Sequence, residues 1–406
     1  MTKWDPRLGR GGAIAIVRGV SLDDDVTGEL RELAAMHRLR VPRILDGVQG
    51  AVAVIDGRKV VNFASNDYLG LAGDARLARA AAAALDDSGT GVGSSRLIVG
   101  NHRQHVLLET AVADWLQCGG VRLFNTGYAA NVGVVTALLQ AGDVVFSDEL
   151  NHASIIDGCR LSRAEIVVFP HRDLAALEVA LETRQGRRRV VVSESLFSMD
   201  GDLADVGALA ALCRRHGAAL VLDEAHAVGV VGPEGRGLAA EVGVVPDVVV
   251  GTFGKALGSF GAFAATTRSI ADLLWNRARS LVFSTGLPPS VAAASRAAVE
   301  VVRSADGDQK RGAVAAHARR FRELVPPARG APASAIAPIL IGDDREVMRC
   351  TEQLLCNGVF VQGIRPPTVA PGTARLRVGL SAAHTAPQVE ALGHVIARAL
   401  HHRAAP

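Results

Sequence analysis

Between residues 121 and 251 the chain repeats one pattern, a short apolar run followed by a stretch with helical spacing. Runs at 121–124, 143–147, 165–169, 189–194, 218–223 and 247–251 read as strands, and 129–140, 173–182 and 206–216 read as helices. Several runs, such as Val190-Val191-Val192 and Val248-Val249-Val250, are apolar at every position. A strand that is apolar on both faces is covered on both faces, as parallel strands flanked by helices are. The pattern therefore predicts an α/β domain with a mostly parallel central sheet covered by helices. Ligands of such sheets bind beyond the carboxyl ends of the strands, so the chemistry is to be sought just after each run.

At 406 residues the chain is too long for one small core. Residues 1–60 read as a helix at 22–39 and a hairpin at 51–62, residues 61–290 as the large α/β domain, and residues 291–406 as a smaller C-terminal α+β domain. The last piece carries strand candidates at 336–341, 359–362 and 375–380. Aromatic residues are 4% of a chain that is 49% hydrophobic, so the core is built from Ala, Val and Leu and disorder is excluded. A net charge of +3 argues against a nucleic-acid binder, and Arg187-Arg188-Arg189 reads as solvated loop charge. The five cysteines, 118, 159, 213, 350 and 356, form no CxxC pair and suggest neither disulfides nor a metal site. The apolar stretch at 13–17 is too short for a signal peptide, and the expected location is the cytoplasm.

Three strand ends stand out. One run stops at Asp223-Glu224-Ala225-His226, another is followed by Gly251-Thr252-Phe253-Gly254-Lys255, and a third leads into the segment from Ser193 to Asp202. Asp223, His226 and Lys255 are thus expected at one sheet edge. Asp-Glu-Ala-His also occurs as the metal box of helicase-like NTPases, but those carry a GxxxxGK[ST] phosphate loop. Here Gly254-Lys255 is followed by alanine and comes after the box, so that reading fails. The glycines at 89–93 follow no strand and are a weak match to a dinucleotide fingerprint.

A lysine with a strand-end aspartate suits different chemistry. A lysine amine can hold an aldehyde cofactor as a Schiff base, and its small neighbours leave room for a ring. The aspartate keeps the pyridine nitrogen of pyridoxal phosphate protonated, which makes an amino acid's Cα–H acidic. The phosphate needs N–H groups and hydroxyls at a helix start, which Thr126-Gly127-Tyr128 and Thr252 offer.

From Leu33 to Ala397 the chain resembles the α-oxoamine synthases, a branch of the fold-type-I pyridoxal-phosphate enzymes. The stretches that carry the resemblance are SNDYLGL (65–71), GSSRLIVGNHRQH (93–105), NHAS (151–154), ESLFSMDGD (194–202), LDEAH (222–226), GTFGK (251–255) and IRPPTVAPGTARLRV (364–378). Thr126 stands where the family has serine, a conservative change. The resemblance implies a fold-type-I transferase that joins an amino acid to an acyl thioester with loss of CO2. Within the branch it points to L-alanine and pimeloyl-CoA or pimeloyl-ACP, in biotin synthesis. Sister enzymes joining glycine or serine to other thioesters are the alternative. It also implies a homodimer with shared active sites, where Ser284 and Thr285 are candidates for residues donated across.

The resemblance gives Lys255 the Schiff base and the α-proton, Asp223 the pyridine nitrogen, His226 the phenolic oxygen and His152 the ring face. Gly127, Tyr128, Ser198 and Thr252 are implied at the cofactor. Asn66 and Arg365 are implied at the amino-acid carboxylate, and Ser95, Thr368 and an N-terminal arginine, Arg38 or Arg40, at the substrate. No metal is implied.

Overall fold

The structure, a computed structural model, describes residues 21–401, so the 13–17 stretch and His402 lie outside the described residues. The chain divides into two units, residues 1–42 and 43–406. In the first, the helix Leu22–Ala35 starts at Ser21, whose hydroxyl accepts the Asp24 N–H at 3.1 Å while the Asp24 carboxylate reaches back to Ser21. Asp23, Asp24 and Asp25 put negative charge at the positive end of the helix dipole. The helix stops four residues short of the expected 22–39, because the chain turns through His37 at a φ of 56°.

In the second unit the central sheet has seven strands. Their order is Gly120–Phe124, Ala262–Thr266, Val248–Thr252, Ala219–Asp223, Arg189–Glu194, Val144–Asp148 and Glu165–Phe169. The last five run parallel, and Ala262–Thr266 is antiparallel to both its neighbours. That strand escapes a reading by pattern, since Ala-Phe-Ala-Ala-Thr is as compatible with a buried helix as with a strand. Helices Gly127–Leu138, Ala153–Ser162 and Arg268–Arg277 cover one face through Val134, Val135, Ile155 and Leu274. Helices Arg103–Leu116, Leu174–Thr183, Val206–His216 and Pro289–Val302 cover the other through Leu108, Leu177, Leu209 and Val299.

Two smaller sheets complete the unit. Ile336–Gly342, Ala374–Gly379 and Gln362–Ile364 form one, over a core with Phe63, Phe321 and Leu376. Strands Val52–Ile55 and Arg58–Asn62 pair with each other, and the second pairs in parallel with Val359–Phe360. The strand pair near the N-terminus is therefore built into the same layer as the C-terminal strands. Among the described residues no helix is long and apolar enough to cross a membrane.

Candidate active site

The small residues around Lys255 have two different explanations. A Cβ on Gly251 would lie 2.2 Å from the Phe263 ring, and one on Gly258, at a φ of 60°, would lie 2.3 Å from the Ala72 nitrogen. These glycines let the protein pack on itself. Around Gly254, by contrast, nothing comes nearer than 3.5 Å, so this position leaves open space beside Lys255. The expectation that all the small neighbours make room for a ring is thus corrected: packing dictates Gly251 and Gly258.

The Lys255 amine is buried and its Nζ lies 2.8 Å from His226 Nε2. On the other side of that imidazole, Nδ1 lies 2.7 Å from the Tyr68 hydroxyl. Tyr68 in turn donates to Asn66 Oδ1 at 3.0 Å, and Arg377 donates to Asn66 Oδ1 at 3.1 Å and to the Tyr68 oxygen at 3.3 Å. The Tyr68 hydroxyl and the Lys255 amine thus flank the two ring nitrogens of His226. Burial, then the positive charges of Lys255 and Arg377, push His226 well below its ordinary pKa, so the ring is neutral. Burial also pulls the Lys255 amine down to about 8.

Asp223 ends its strand beside this group. Its carboxylate accepts from Asn131 Nδ2 at 2.6 Å and from the Ala225 N–H at 2.8 Å. Asn131 also donates to Ser154 Oγ at 2.9 Å, and that hydroxyl lies 2.7 Å from His152 Nδ1. His152 caps the helix Ala153–Ser162, and burial lowers its pKa despite the nearby Asp223. The neighbouring Glu224 does something else: it accepts from the Leu238 and Ala239 N–H groups at 2.7 and 2.8 Å. The second residue of the apparent metal box is thus a buried anchor for a short helix.

Thr126 caps the helix Gly127–Leu138 by accepting from the Ala129 N–H, and a Cβ on Gly127 would meet nothing within 4 Å. Thr252 donates to Gly261 O at 2.9 Å and accepts from the Gly254 N–H at 3.1 Å. Tyr128 is half exposed, with its hydroxyl on Asp157. Ser198 is buried; its N–H donates to Glu194 Oε2 at 3.1 Å and its carbonyl accepts from Arg377 Nε at 2.7 Å. Ser95 bridges to Thr285, whose carbonyl accepts from Asn125 at 2.9 Å. Arg365 is buried with its guanidinium against the Met348 sulfur, and its carbonyl accepts from the Thr368 N–H at 3.2 Å. Arg38 and Arg40 belong to the first unit.

The structure thus brings Asn66, His226 and Lys255 into one bonded chain, and links His152 to Asp223 through two further side chains. The links themselves, Tyr68, Arg377, Asn131, Ser154 and Glu194, carry no role in the sequence reading. All but Asn131 lie inside the seven diagnostic stretches, which was the available signal.

These residues fit pyridoxal phosphate: an amine in a desolvated setting with open space beside Gly254, a carboxylate at a strand end, one histidine on the amine and another linked to the carboxylate, and an uncrowded helix start at Gly127. Fold and site together define a pyridoxal-phosphate-dependent transferase of fold type I. The family model for aminotransferase class I and II matches residues 58–396. The 8-amino-7-oxononanoate synthase of Pelobacter propionicus is 48% identical over 366 residues, which span 89% of this chain and 94% of that protein. A serine palmitoyltransferase from S. paucimobilis with a bound PLP–myriocin adduct superposes with a TM-score of 0.88 at 30% identity, covering 93% of this chain and 97% of that one. The 8-amino-7-oxononanoate synthase of Francisella tularensis superposes with a TM-score of 0.73 at 26% identity, covering 85% and 98%. The chain belongs to the class I and II aminotransferase family, and within it to the 8-amino-7-oxononanoate synthases.

Proposed function

We propose that the protein joins L-alanine to pimeloyl-CoA or pimeloyl-ACP, releasing CO2 and the free thiol, as a step of biotin biosynthesis. The observation that carries the chemistry is the buried Lys255 amine 2.8 Å from a neutral His226, within one bonded network with Asn66 and Arg377. The choice of L-alanine and a pimeloyl chain rests on the 48% identity to the named relative. Bound pyridoxal phosphate supplies an electron sink that makes the Cα–H of an amino acid acidic.

Lys255 holds the cofactor and then takes the α-proton at Nζ, for which an amine titrating at about 8 is well matched to neutral conditions. Asp223, fixed by Asn131 and Ala225, would pair with the pyridine nitrogen and keep it protonated. His226 would hold the phenolic oxygen and His152 would hold the ring. The N–H groups of Gly127 and Tyr128, with Thr252, would hold the phosphate, and Ser198 would contribute to the same site.

Arg377 and Asn66 hold the amino-acid carboxylate. A guanidinium has five donors, and the contacts to Asn66, Tyr68 and Ser198 take three. Arg365 is the other candidate for that carboxylate. Ser95, Thr368 and Arg38 or Arg40 attend the acyl substrate. The working unit is a cytoplasmic homodimer, with Ser284 and Thr285 reaching the partner's site.

Protein supplied with pyridoxal phosphate, L-alanine and pimeloyl-CoA is expected to release thiol, with the aminoketone acid found by mass spectrometry. The solved serine palmitoyltransferase fold makes serine with palmitoyl-CoA the informative competitor. Thiol release with that pair and none with L-alanine assigns the sister activity instead.

A further inference from the structure

Glu194 ends the strand next to Asp223 and stands directly opposite it in the parallel register. It is 2% exposed. Its Oε2 accepts the Ser198 N–H at 3.1 Å, and the backbone of His152 lies close enough to favour the charged form of its carboxyl. Its own N–H is held by Asn151 Oδ1 at 3.1 Å, so the residue, through its backbone on one side and its carboxylate on the other, spans the two segments that present His152 and Ser198. Yet Oε1 is buried without a hydrogen-bond partner. A buried carboxylate oxygen left bare is costly, and two adjacent carboxylates in a dry site do not both ionise cheaply. Asp223 has a side-chain amide at 2.6 Å and a backbone N–H at 2.8 Å on its two oxygens, whereas Glu194 has a bare one.

We propose that Glu194 is a positioning residue that keeps a proton on its carboxyl at neutral pH, leaving Asp223 as the single negative charge beneath the cofactor while tying His152 and Ser198 into place. The charged and titratable groups around it agree. Asp223 on the neighbouring strand opposes a second negative charge, and Lys255, beyond the next strand, is the one cation that favours it. His152 sits on the preceding loop with its own pKa lowered, and Arg377 meets this segment at the Ser198 carbonyl. Burial first, and Asp223 second, push the Glu194 carboxyl up to about 8. The proposal rests on reading Asp223 as the partner of the pyridine nitrogen. The balance of protons is simple: Glu194 holds one and passes none on.

The sign of the pH effect follows. The folded protein holds this proton up to about pH 8, whereas the unfolded chain releases it near 4.5. Stability from this group is complete below 4.5 and is lost as pH rises towards 8. Lys255 acts above that window, since its pKa falls from 10.5 to about 8.

The experiment compares wild type with Glu194→Gln and Glu194→Ala in two ways, cofactor affinity at pH 7 and the thermal midpoint of the cofactor-free protein from pH 5 to 8. Glu194→Gln, neutral at every pH, is expected to bind pyridoxal phosphate within about twofold of wild type and to flatten the decline in midpoint. Glu194→Ala, which loses the tie to the Ser198 N–H, is expected to bind about tenfold more weakly. A tenfold loss in Glu194→Gln overturns the proposal, and so does a wild-type slope in that variant. If Glu194→Gln does not fold, the infrared carboxyl band of wild type decides: titration near pH 8 supports the proposal and its absence refutes it. The cofactor-free readouts do not depend on which substrates are used, so failure here is distinct from failure of the proposed activity.

Discussion

The two edges of the seven-stranded sheet carry buried charge under opposite rules. At the amino edge, Asp143 accepts from the Gln140 and Arg188 N–H groups at 2.8 and 3.0 Å and from the Arg187 guanidinium at 2.7 Å. Asp247 accepts from the Leu220 N–H, while Arg188 and Arg189 donate to the carbonyls of Leu138 and Leu181. Arg187–Arg189, read from sequence as solvated charge, is therefore a set of ties closing strand and helix ends. At the carboxyl edge the opposite holds. Lys255 has a neutral imidazole as its close neighbour, and Glu194 keeps an unpartnered oxygen. One edge satisfies every group named here and so contributes stability. The other leaves charge poorly matched, and unmatched buried charge is what moves pKa values into a useful range.

Removing Lys255 should draw this contrast most sharply. Lys255→Ala is expected to fold with unchanged circular dichroism and to lose about a thousandfold or more in thiol release. A loss under tenfold would remove the lysine from the proton transfer. Next comes Asp143→Ala at the other edge, which strands two backbone donors. It is expected to lower unfolding free energy in urea by about 2–3 kcal/mol while activity per folded molecule stays the same. Loss of activity without loss of stability would end the division between the edges.

Arg377→Lys probes which arginine reads the substrate. Replacing a fork by a point charge should raise KM for the amino acid about 10- to 100-fold, with cofactor affinity kept. Should Arg365→Lys show that signature and Arg377→Lys not, the carboxylate belongs to Arg365.

The smallest effect belongs to His171, which lies between Asp148 at 2.9 Å and Asp202 at 3.0 Å. Burial pulls its pKa down, but the hydrogen bonds to Asp148 and Asp202 outweigh that and raise it to about 9. The pair contributes stability that is complete below the unfolded value of 6.5 and is lost as pH rises through 9. Urea midpoints of wild type should therefore decline between pH 6.5 and 9 more than those of His171→Gln. Parallel profiles would show that the histidine is not charged.

Much of this site was legible in the chain. Asp223, His226 and Lys255 could be placed at one edge because each follows an apolar run, and parallel strands align their carboxyl ends. Tyr68 and Arg377 could not be placed by such reasoning. Tyr68 lies 158 residues from His226 and Arg377 lies 309 residues from Tyr68, and no local period links them. Gly251 and Gly258 show the reverse: their smallness was plain, but the cause lay in Phe263 and Ala72. The strand Ala262–Thr266 was missed because its small residues suit either element once buried.

By itself the sequence determined the sheet type, the lysine, the strand-end aspartate and the helix starts, all consequences of short-range pattern and residue chemistry. Only the tertiary structure decided which groups share protons and which remain unmatched. Those outcomes depend on distances of about 3 Å between distant segments, and on exclusion of water, which no window of sequence contains.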